Sequence, residues 1–518
     1  MPRTFWIDAV CIDQSNMAER SEQVSKMRTI YHSANYVVVW LGPDDDSSAL
    51  AFSMFKRFRR HMHDVQYIAN IIKSPASRDS LEAIVSLFSR AYWDRVWVIQ
   101  EVNSIEETEI IIMCGNHNIG WSALAAKQDM LIEDHQDLLM ELSGQEPRLR
   151  SLYNDMRLRG PNGLQLPYTI DGTPDLYTLL SLYWKSAATD PKDKIYALVG
   201  LSTARDDPRL SIDYSLSIRQ AYINVARYLV VSSQKLDVIC SMPRCLNTYD
   251  LPSWVPDWTA YKMTPISPCI AIAQFFAANR LTPYSAAGES EPDVEFSDAA
   301  DSLITNGFCL GNIVSVGQKC RENPAKDMTA GVIALADWFR LLGSAGEITQ
   351  AKASTFCSTI LFDHLTMGPE WFETRAQHVE TILGDLANEA QERCPDEVIH
   401  PYLLDMQSRP RPVEVTTKPW VSDACKLIAY RRFFISSSGL MGLAPDSAEP
   451  GDIICILLGC FMPVILRPMG RHYILLGGAY YHEYMYGKGG PSYHEHMNGR
   501  GMTELAQGKF KLEPFEIQ

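Results

Sequence analysis

Three short apolar runs, separated by helical sequence, set the narrowest limit on how this chain can fold. Phe5-Trp-Ile-Asp-Ala-Val-Cys-Ile12 is continuous apart from Asp8. Tyr36-Val-Val-Val-Trp-Leu41 is unbroken, and Glu109-Ile-Ile-Ile-Met-Cys114 is the third. Runs that are apolar at nearly every position are those of strands buried on both faces, as in a parallel sheet. Between the first two, Asn16 and Glu19 have the spacing of a capping box. Val24, Met27, Tyr31 and Ala34 then recur at helical spacing, which predicts an amphipathic helix over 17–34. Gly42-Pro43 and the acidic turn Asp44–Asp46 end the second run, and helical sequence follows around 47–72 and 79–90. Strand, helix and parallel strand in that order is the α/β signature. All three runs are therefore expected as parallel strands of one sheet.

In open α/β sheets, ligands sit beyond the carboxyl ends of the strands. Asp13 and Gln14 follow the first run; Gly42 and Asp44 follow the second. These loops define a candidate site. Asp8 lies inside a run, needs a buried partner and reads as structural. The stretch Arg90-Ala-Tyr-Trp-Asp-Arg-Val-Trp-Val-Ile-Gln-Glu-Val102 adds a carboxylate to that site. Asp94 can cap a helix beginning at Arg95. On that helix Glu101 is four residues from Trp97 and Ile105 and three from Val98, so its neighbours are apolar. Poor solvation should raise its pKa. Two readings stay open. Glu101 is a general acid/base or a charge that stabilises a cationic intermediate, or it is a buried partner of Arg20 or Arg28. Either way its side chain is expected against an apolar wall formed partly by Trp97, near the loop after Ile12.

The remaining chain reads as a mostly helical stretch to about residue 260, a variable and mostly helical region, and a C-terminal β-module. Asp190 and Pro191 predict a helix start, with the helix running from Lys192 to Leu201. Tyr222 to Val231 is another helix. Pro252 and Pro256 forbid a helix over Leu251–Trp258, whose two tryptophans dock a loop onto the core or cradle a ligand. Tyr284 to Ala300 is acidic and reads as an exposed loop. From Phe433 onward, Gly and Pro punctuate short apolar runs at Gly451–Gly459, Pro463–Arg467 and Tyr473–Gly477, the pattern of an antiparallel meander. A small packed barrel or sheet is expected over 433–480. Tyr481-His-Glu-Tyr-Met485 recurs as Tyr493-His-Glu-His-Met497. The spacing matches no strong metal motif, so the repeat reads as a mobile Gly- and His-rich tail that binds no metal tightly.

With 518 residues, 46% hydrophobic and 21% charged, the chain has ample sequence for several domains. Its net charge of −15 argues against non-specific nucleic-acid or anionic-membrane binding. No stretch of 18 uncharged apolar residues is present, so no membrane span is expected, and the N-terminus lacks the apolar core of a signal peptide. The twelve cysteines include no CxxC pair and lie mostly in apolar runs. They read as reduced thiols of a cytoplasmic or nuclear protein, without a zinc site.

Four segments carry a family resemblance: Trp6-Ile-Asp-Ala-Val-Cys-Ile-Asp-Gln14, Glu19-Arg-Ser-Glu-Gln-Val24, Tyr36-Val-Val-Val-Trp-Leu-Gly42 and Arg95-Val-Trp-Val-Ile-Gln-Glu101. In order and spacing they resemble the fungal heterokaryon-incompatibility (HET) domain. The similarity continues through Asp190-Pro-Lys-Asp-Lys-Ile-Tyr-Ala-Leu-Val-Gly200, Asp213-Tyr-Ser215, Pro252–Trp258, Gly442–Pro445 and Pro450–Ile453. The resemblance implies a HET domain over 1–120, a helical extension over 121–260, a variable region over 261–430 and a β-module over 431–518. HET domains are considered similar to Toll/interleukin-receptor (TIR) domains, which implies a flavodoxin-like parallel sheet. It also implies death or immune signalling through self-association or through another incompatibility protein. Some TIR domains cleave NAD with a glutamate in a Trp-x-x-x-Glu setting, and Trp97-Val-Ile-Gln-Glu101 is similar. That makes NAD a possible substrate, with Glu101 as the candidate catalytic residue and Asp13, Gln14, Gly42 and Trp97 as candidate binding residues. The family's upstream Tyr-x-x-Leu-Ser-Tyr-x-Trp-Gly stretch, which supplies a first strand, is not in this sequence. The implied sheet therefore lacks that strand, with a defect between the runs at 5–12 and 36–41. This weighs towards assembly and away from catalysis.

Overall fold

The computed structural model describes residues 4–61, 63–104, 109–166, 172–240, 248–259, 286–297, 301–320, 328–362, 375–409, 420–485 and 500–518. The chain divides into two compact units, Met1–Ser217 and Ile218–Gln518.

The first unit is built on a small sheet in the order β1-β2-β3: β1 (Val37–Trp40), β2 (Ile110–Cys114) and β3 (His117–Gly120). As expected, the second and third apolar runs pair in parallel, with Val37 opposite Ile110 and Trp40 opposite Met113. β3 returns antiparallel to β2, Cys114 facing His117, around a tight turn in which Gly115 takes φ +53. The run at 5–12 is not a strand. Asp8–Cys11 forms a single helical turn instead, with the Asp8 carboxylate accepting from the Ala9 amide at 2.8 Å. Among the described residues no strand lies beside this run to take its backbone groups, and a local turn satisfies them within the segment. Phe5, Ile7 and Val10 are left largely exposed. A flavodoxin-like parallel sheet is thus not what the described residues form: one parallel pair is present, extended by one antiparallel strand.

Helices cover one face of this sheet. Met17–His32 starts at Asn16, whose side chain accepts from the amides of Ala18 and Glu19. Asp46–Arg60, Arg78–Phe88 and Trp121–Gln145 bury Phe52, Phe55, Phe58, Leu81, Leu87, Phe88, Trp121 and Leu124. Each such side chain contributes about 2 kcal/mol relative to its exposed state. Val37 and Val39 of β1 and Ile110 and Ile112 of β2 meet this core. The alternate residues do not: Tyr36, just before β1, is 64% exposed, and Val38 and Trp40 are 38% and 50% exposed.

The second unit combines helices with a β-barrel. The helices include Ile218–Ser233, Thr329–Ser344, Gln350–Leu361, Arg375–Arg393, Pro401–Ser408 and Trp420–Leu427. The strands are β4 (Val294–Ser297), β5 (Ser302–Val316), β6 (Arg431–Ser436), β7 (Met441–Pro445), β8 (Ile453–Leu457), β9 (Val464–Met469), β10 (His472–Gly478) and β11 (Glu513–Ile517). β8, β9 and β10 form the expected antiparallel meander. β5 pairs with β8, and β11 pairs with both β10 and β5, so five strands close a ring. The hairpin β6–β7 continues from the far end of β5.

Three expectations in this unit are tested by the described residues. The Pro252–Trp258 segment is non-helical and docks its tryptophans: both are buried, and the Trp254 indole N–H donates to the Asp301 carbonyl at 2.7 Å. The stretch within 284–300 is not an exposed loop in its described part. Ala286 and Ala287 are buried on the strand-connecting turn at 460–461 and β4 pairs with β5, because alanines are small enough to let the two backbones meet. The first copy of the repeat is not a mobile tail: Tyr481, Tyr484 and Met485 are buried against the barrel core, and the Tyr481 hydroxyl meets Ser436 Oγ at 2.8 Å. The second copy, Tyr493–Met497, lies outside the described residues. Among the described residues no helix is long and apolar enough to cross a membrane, and no group of three or more His, Cys, Asp or Glu side chains is arranged to hold a metal ion.

Candidate functional site

Glu101 sits on the helix Val96–Asn103. Asp94 does not cap that helix. It ends the 3₁₀ turn Ala91–Asp94, and its carboxylate pairs with Arg159 at 3.4 Å. The first amide of the helix is satisfied elsewhere, Val96 N donating to the Ala187 carbonyl at 2.9 Å, so no side-chain cap is needed.

Glu101 is only 9% exposed, and its carboxylate accepts the Tyr92 hydroxyl on Oε2 at 2.8 Å. Burial pushes its pKa up, and the Asp8 charge adds to this; the Tyr92 hydrogen bond and the Arg95 charge pull it back. Burial and the Glu101 charge in turn push the Tyr92 and Tyr31 phenols up. Trp6 packs edge-on against Tyr31, with ring centroids 5.8 Å apart. Asp8, Tyr31, Tyr92, Arg95 and Glu101 thus form one electrostatic cluster. It is closed by a phenol, not by the guanidinium of Arg20 or Arg28. Chemically it holds a proton well and presents little carboxylate to solvent.

The other candidate residues fall around this cluster unevenly. Gln14 Nε2 donates to the Asp8 carbonyl at 3.3 Å. Asp13 binds the Ser15 hydroxyl at 2.6 Å and the Ser15 amide at 3.0 Å, which hold its carboxyl below the usual range. Both are exposed and sequence-adjacent to the Asp8 turn. Gly42 belongs to a different knot. It takes φ +99, its carbonyl accepts from the Gly115 amide at 2.9 Å, and Arg90 closes over it, donating to the carbonyls of Leu41 and Pro43 and to Asp45. A Cβ at Gly42 would lie 3.3 Å from Arg90 Nη1. Trp97 is committed to a third group: its indole N–H donates to the Asp193 carboxyl.

That third group was not singled out as a site by sequence reasoning. Arg20 bridges Asp190 at 3.1 Å and Asp193 at 3.3 Å, and its guanidinium lies 3.7 Å over the Tyr214 ring. The Tyr214 hydroxyl donates to Asp193 at 2.5 Å, and Lys192 Nζ donates to the Tyr214 carbonyl at 2.7 Å. Lys194 reaches the carbonyls of Trp184 and Ser186, each at 2.5 Å. The signal was available: Asp190, Lys192, Asp193 and Lys194 crowd four charges beside the apolar run Ile195–Val199, and buried charges must be paired. The cluster ties the helix Met17–His32 to the Asp190–Leu201 segment within the first unit.

The model of the family described as "Heterokaryon incompatibility protein (HET)" matches residues 1–101. A second, the "Het-6 beta-barrel domain", matches residues 404–491. The chain is 23% identical over 562 aligned positions to "Heterokaryon incompatibility protein 6, OR allele" of Neurospora crassa, an alignment spanning 92% of this chain and 80% of that protein. No solved structure matches the chain.

Proposed function

We propose that this chain, similar to the heterokaryon-incompatibility and Het-6 barrel family models over residues 1–101 and 404–491, is a signalling protein of the incompatibility response. In this reading its N-terminal domain assembles, with itself or with another incompatibility protein, and triggers growth arrest or cell death. The observation that carries the reading is the uncovered side of β1. A parallel strand pair is normally covered on both faces, yet Tyr36, Val38 and Trp40 are turned to solvent. Across the register, Ile111 and Met113 continue the same face from β2, and the outer edge of β1 has no strand partner among the described residues. Exposed apolar faces and free strand edges are sites of association.

The test is expression in a fungal host of the full chain and of Val38→Lys and Trp40→Glu, with growth and viability scored beside the oligomeric state. The expected result is arrest by the parent chain and loss of both arrest and association in the two variants, with unchanged thermal stability because these side chains contribute little to the core. Arrest that persists in variants that no longer associate would overturn the reading. Glu101 enters as a brace for the domain and not as the acid of an NAD-cleaving site, since its carboxyl is spent on Tyr92 and nearly closed to solvent.

A further inference from the structure

Several cysteines of the second unit lie close to another thiol, and one pair combines proximity with access. Cys309 of β5 and Cys455 of β8 are direct partners across the antiparallel register. Directly opposed residues of an antiparallel pair project to the same face, and each of these thiols acts on the titration of the other. Cys455 is fully buried, whereas Cys309 is partly exposed, so an oxidant can meet the Cys309 sulfur while the Cys455 sulfur waits behind it. By contrast, Cys240 and Cys460 lie with their sulfurs 3.7 Å apart but are both closed to solvent.

We propose that Cys309 and Cys455 are an oxidisable dithiol, which a peroxide converts to a disulfide across β5 and β8. In the first step the Cys309 thiolate attacks one peroxide oxygen. The O–O bond breaks, hydroxide leaves and Cys309 becomes a sulfenic acid. In the second step the Cys455 sulfur attacks the Cys309 sulfur. The S–O bond breaks, the Cys455 proton leaves with the hydroxyl as water, and the S–S bond forms. Two electrons pass from the sulfur pair to the peroxide.

The surroundings suit this division of labour. The Cys455 hydrogen bond draws the Cys309 thiol down to about 7, against burial and the Glu513 charge. Cys309 is thus the sulfur that is substantially thiolate near neutral pH. Burial pushes the Cys455 thiol up, keeping it protonated until it attacks. Tyr473 and Glu513 are the other ionisable groups that act on the pair. Directly opposed Cβ atoms in a sheet lie about 4.5–5.5 Å apart, and a disulfide draws them to about 3.5–4.5 Å. The register shift between Cys309 and Gly311 leaves the bulged strand free to make that approach.

The experiment is hydrogen peroxide treatment of the reduced, folded full chain, followed by thiol trapping and peptide mapping. The expected product is a Cys309–Cys455 linked peptide pair with the loss of two hydrogens, formed before the exposed Cys11 is consumed. In Cys455→Ala, Cys309 should stop at a sulfenic acid trapped by a cyclic diketone; in Cys309→Ser, Cys455 should stay reduced. Oxidation of Cys11 while Cys309 remains a free thiol would overturn the proposal. So would a linked pair that omits Cys309 or Cys455, or a trappable sulfenic acid at Cys309 that persists in the parent chain. The mapping on the parent chain decides the matter even if a variant folds poorly.

Discussion

Glu101 accepts a phenol hydrogen bond in a nearly closed site, and this fixes what its substitution should do. Its pKa is raised in the folded state, so the folded chain holds the proton more tightly than the unfolded one. The resulting stabilisation is fully present below the unfolded value, about 4.3, and is lost as pH rises through the folded value. Glu101→Gln keeps an oxygen for Tyr92 and cannot ionise. It should match the parent chain near pH 4 and equal or exceed its melting temperature at pH 8, read by thermal denaturation across pH. Glu101→Ala leaves the Tyr92 hydroxyl unpaired and should cost about 1–3 kcal/mol. Arg20 differs because it is a true ion-pair partner. Arg20→Met strands Asp193 beside Asp190 and should cost about 3 kcal/mol in a denaturant titration. The sequence made Glu101 legible as a carboxylate in an apolar setting. It could not say that Tyr92, nine positions upstream, supplies the partner, because that depends on the 3₁₀ turn between them, nor that Trp97 is claimed by Asp193, because that depends on how distant segments meet.

Strands were legible where each apolar run has a neighbour to pair with. Val37–Trp40 and Ile110–Cys114 are such runs and form the parallel pair. Phe5–Ile12 has the same apolar character but no strand beside it among the described residues, and the helical turn at Asp8 prevails. Hydrophobicity alone does not make a strand; backbone partners do. The meander β8–β9–β10 was legible from its Gly and Pro punctuation, and a barrel was one of the readings it allowed, but the two strands that close the ring were not legible. β5 and β11 are separated from the meander in sequence, and their pairing is a long-range choice. Closure gives a sharp expectation. Phe515 and Ile517 of β11 are fully buried and pair opposite Thr305 and Leu303 of β5. Deleting residues 513–518 removes both side chains and exposes the edges of β5 and β10. The shortened chain should bind an apolar fluorescent dye and unfold about 5–8 °C lower, on the order of what losing about 3–5 kcal/mol does to a unit of this size; an unchanged transition would mean that the ring does not need its fifth strand.

At the scale of the whole molecule, the described interactions fall into two sets on either side of the division at Ser217 and Ile218. The Glu101 cluster, the Arg90 knot over Gly42 and the Arg20–Asp190–Asp193–Tyr214 group all lie within Met1–Ser217. The barrel ring, the docked Trp254 and the Arg219–Asp301 bridge at 2.9 Å all lie within Ile218–Gln518. A unit with its own core and its own paired charges can fold alone. Expressed separately, residues 218–518 should therefore give a single cooperative thermal transition with the circular dichroism of a mixed helix and sheet protein. Residues 1–217 should do the same, with the Arg20→Met penalty confined to that fragment. The assembly reading adds one asymmetry. The uncovered face of β1 belongs to the first fragment, so that fragment should self-associate or capture the full chain as its concentration rises, and Trp40→Glu should abolish this. Concentration-dependent sedimentation of both fragments decides it: association carried by 218–518, and not by 1–217, would move the interface away from β1 and with it the proposed route to the response.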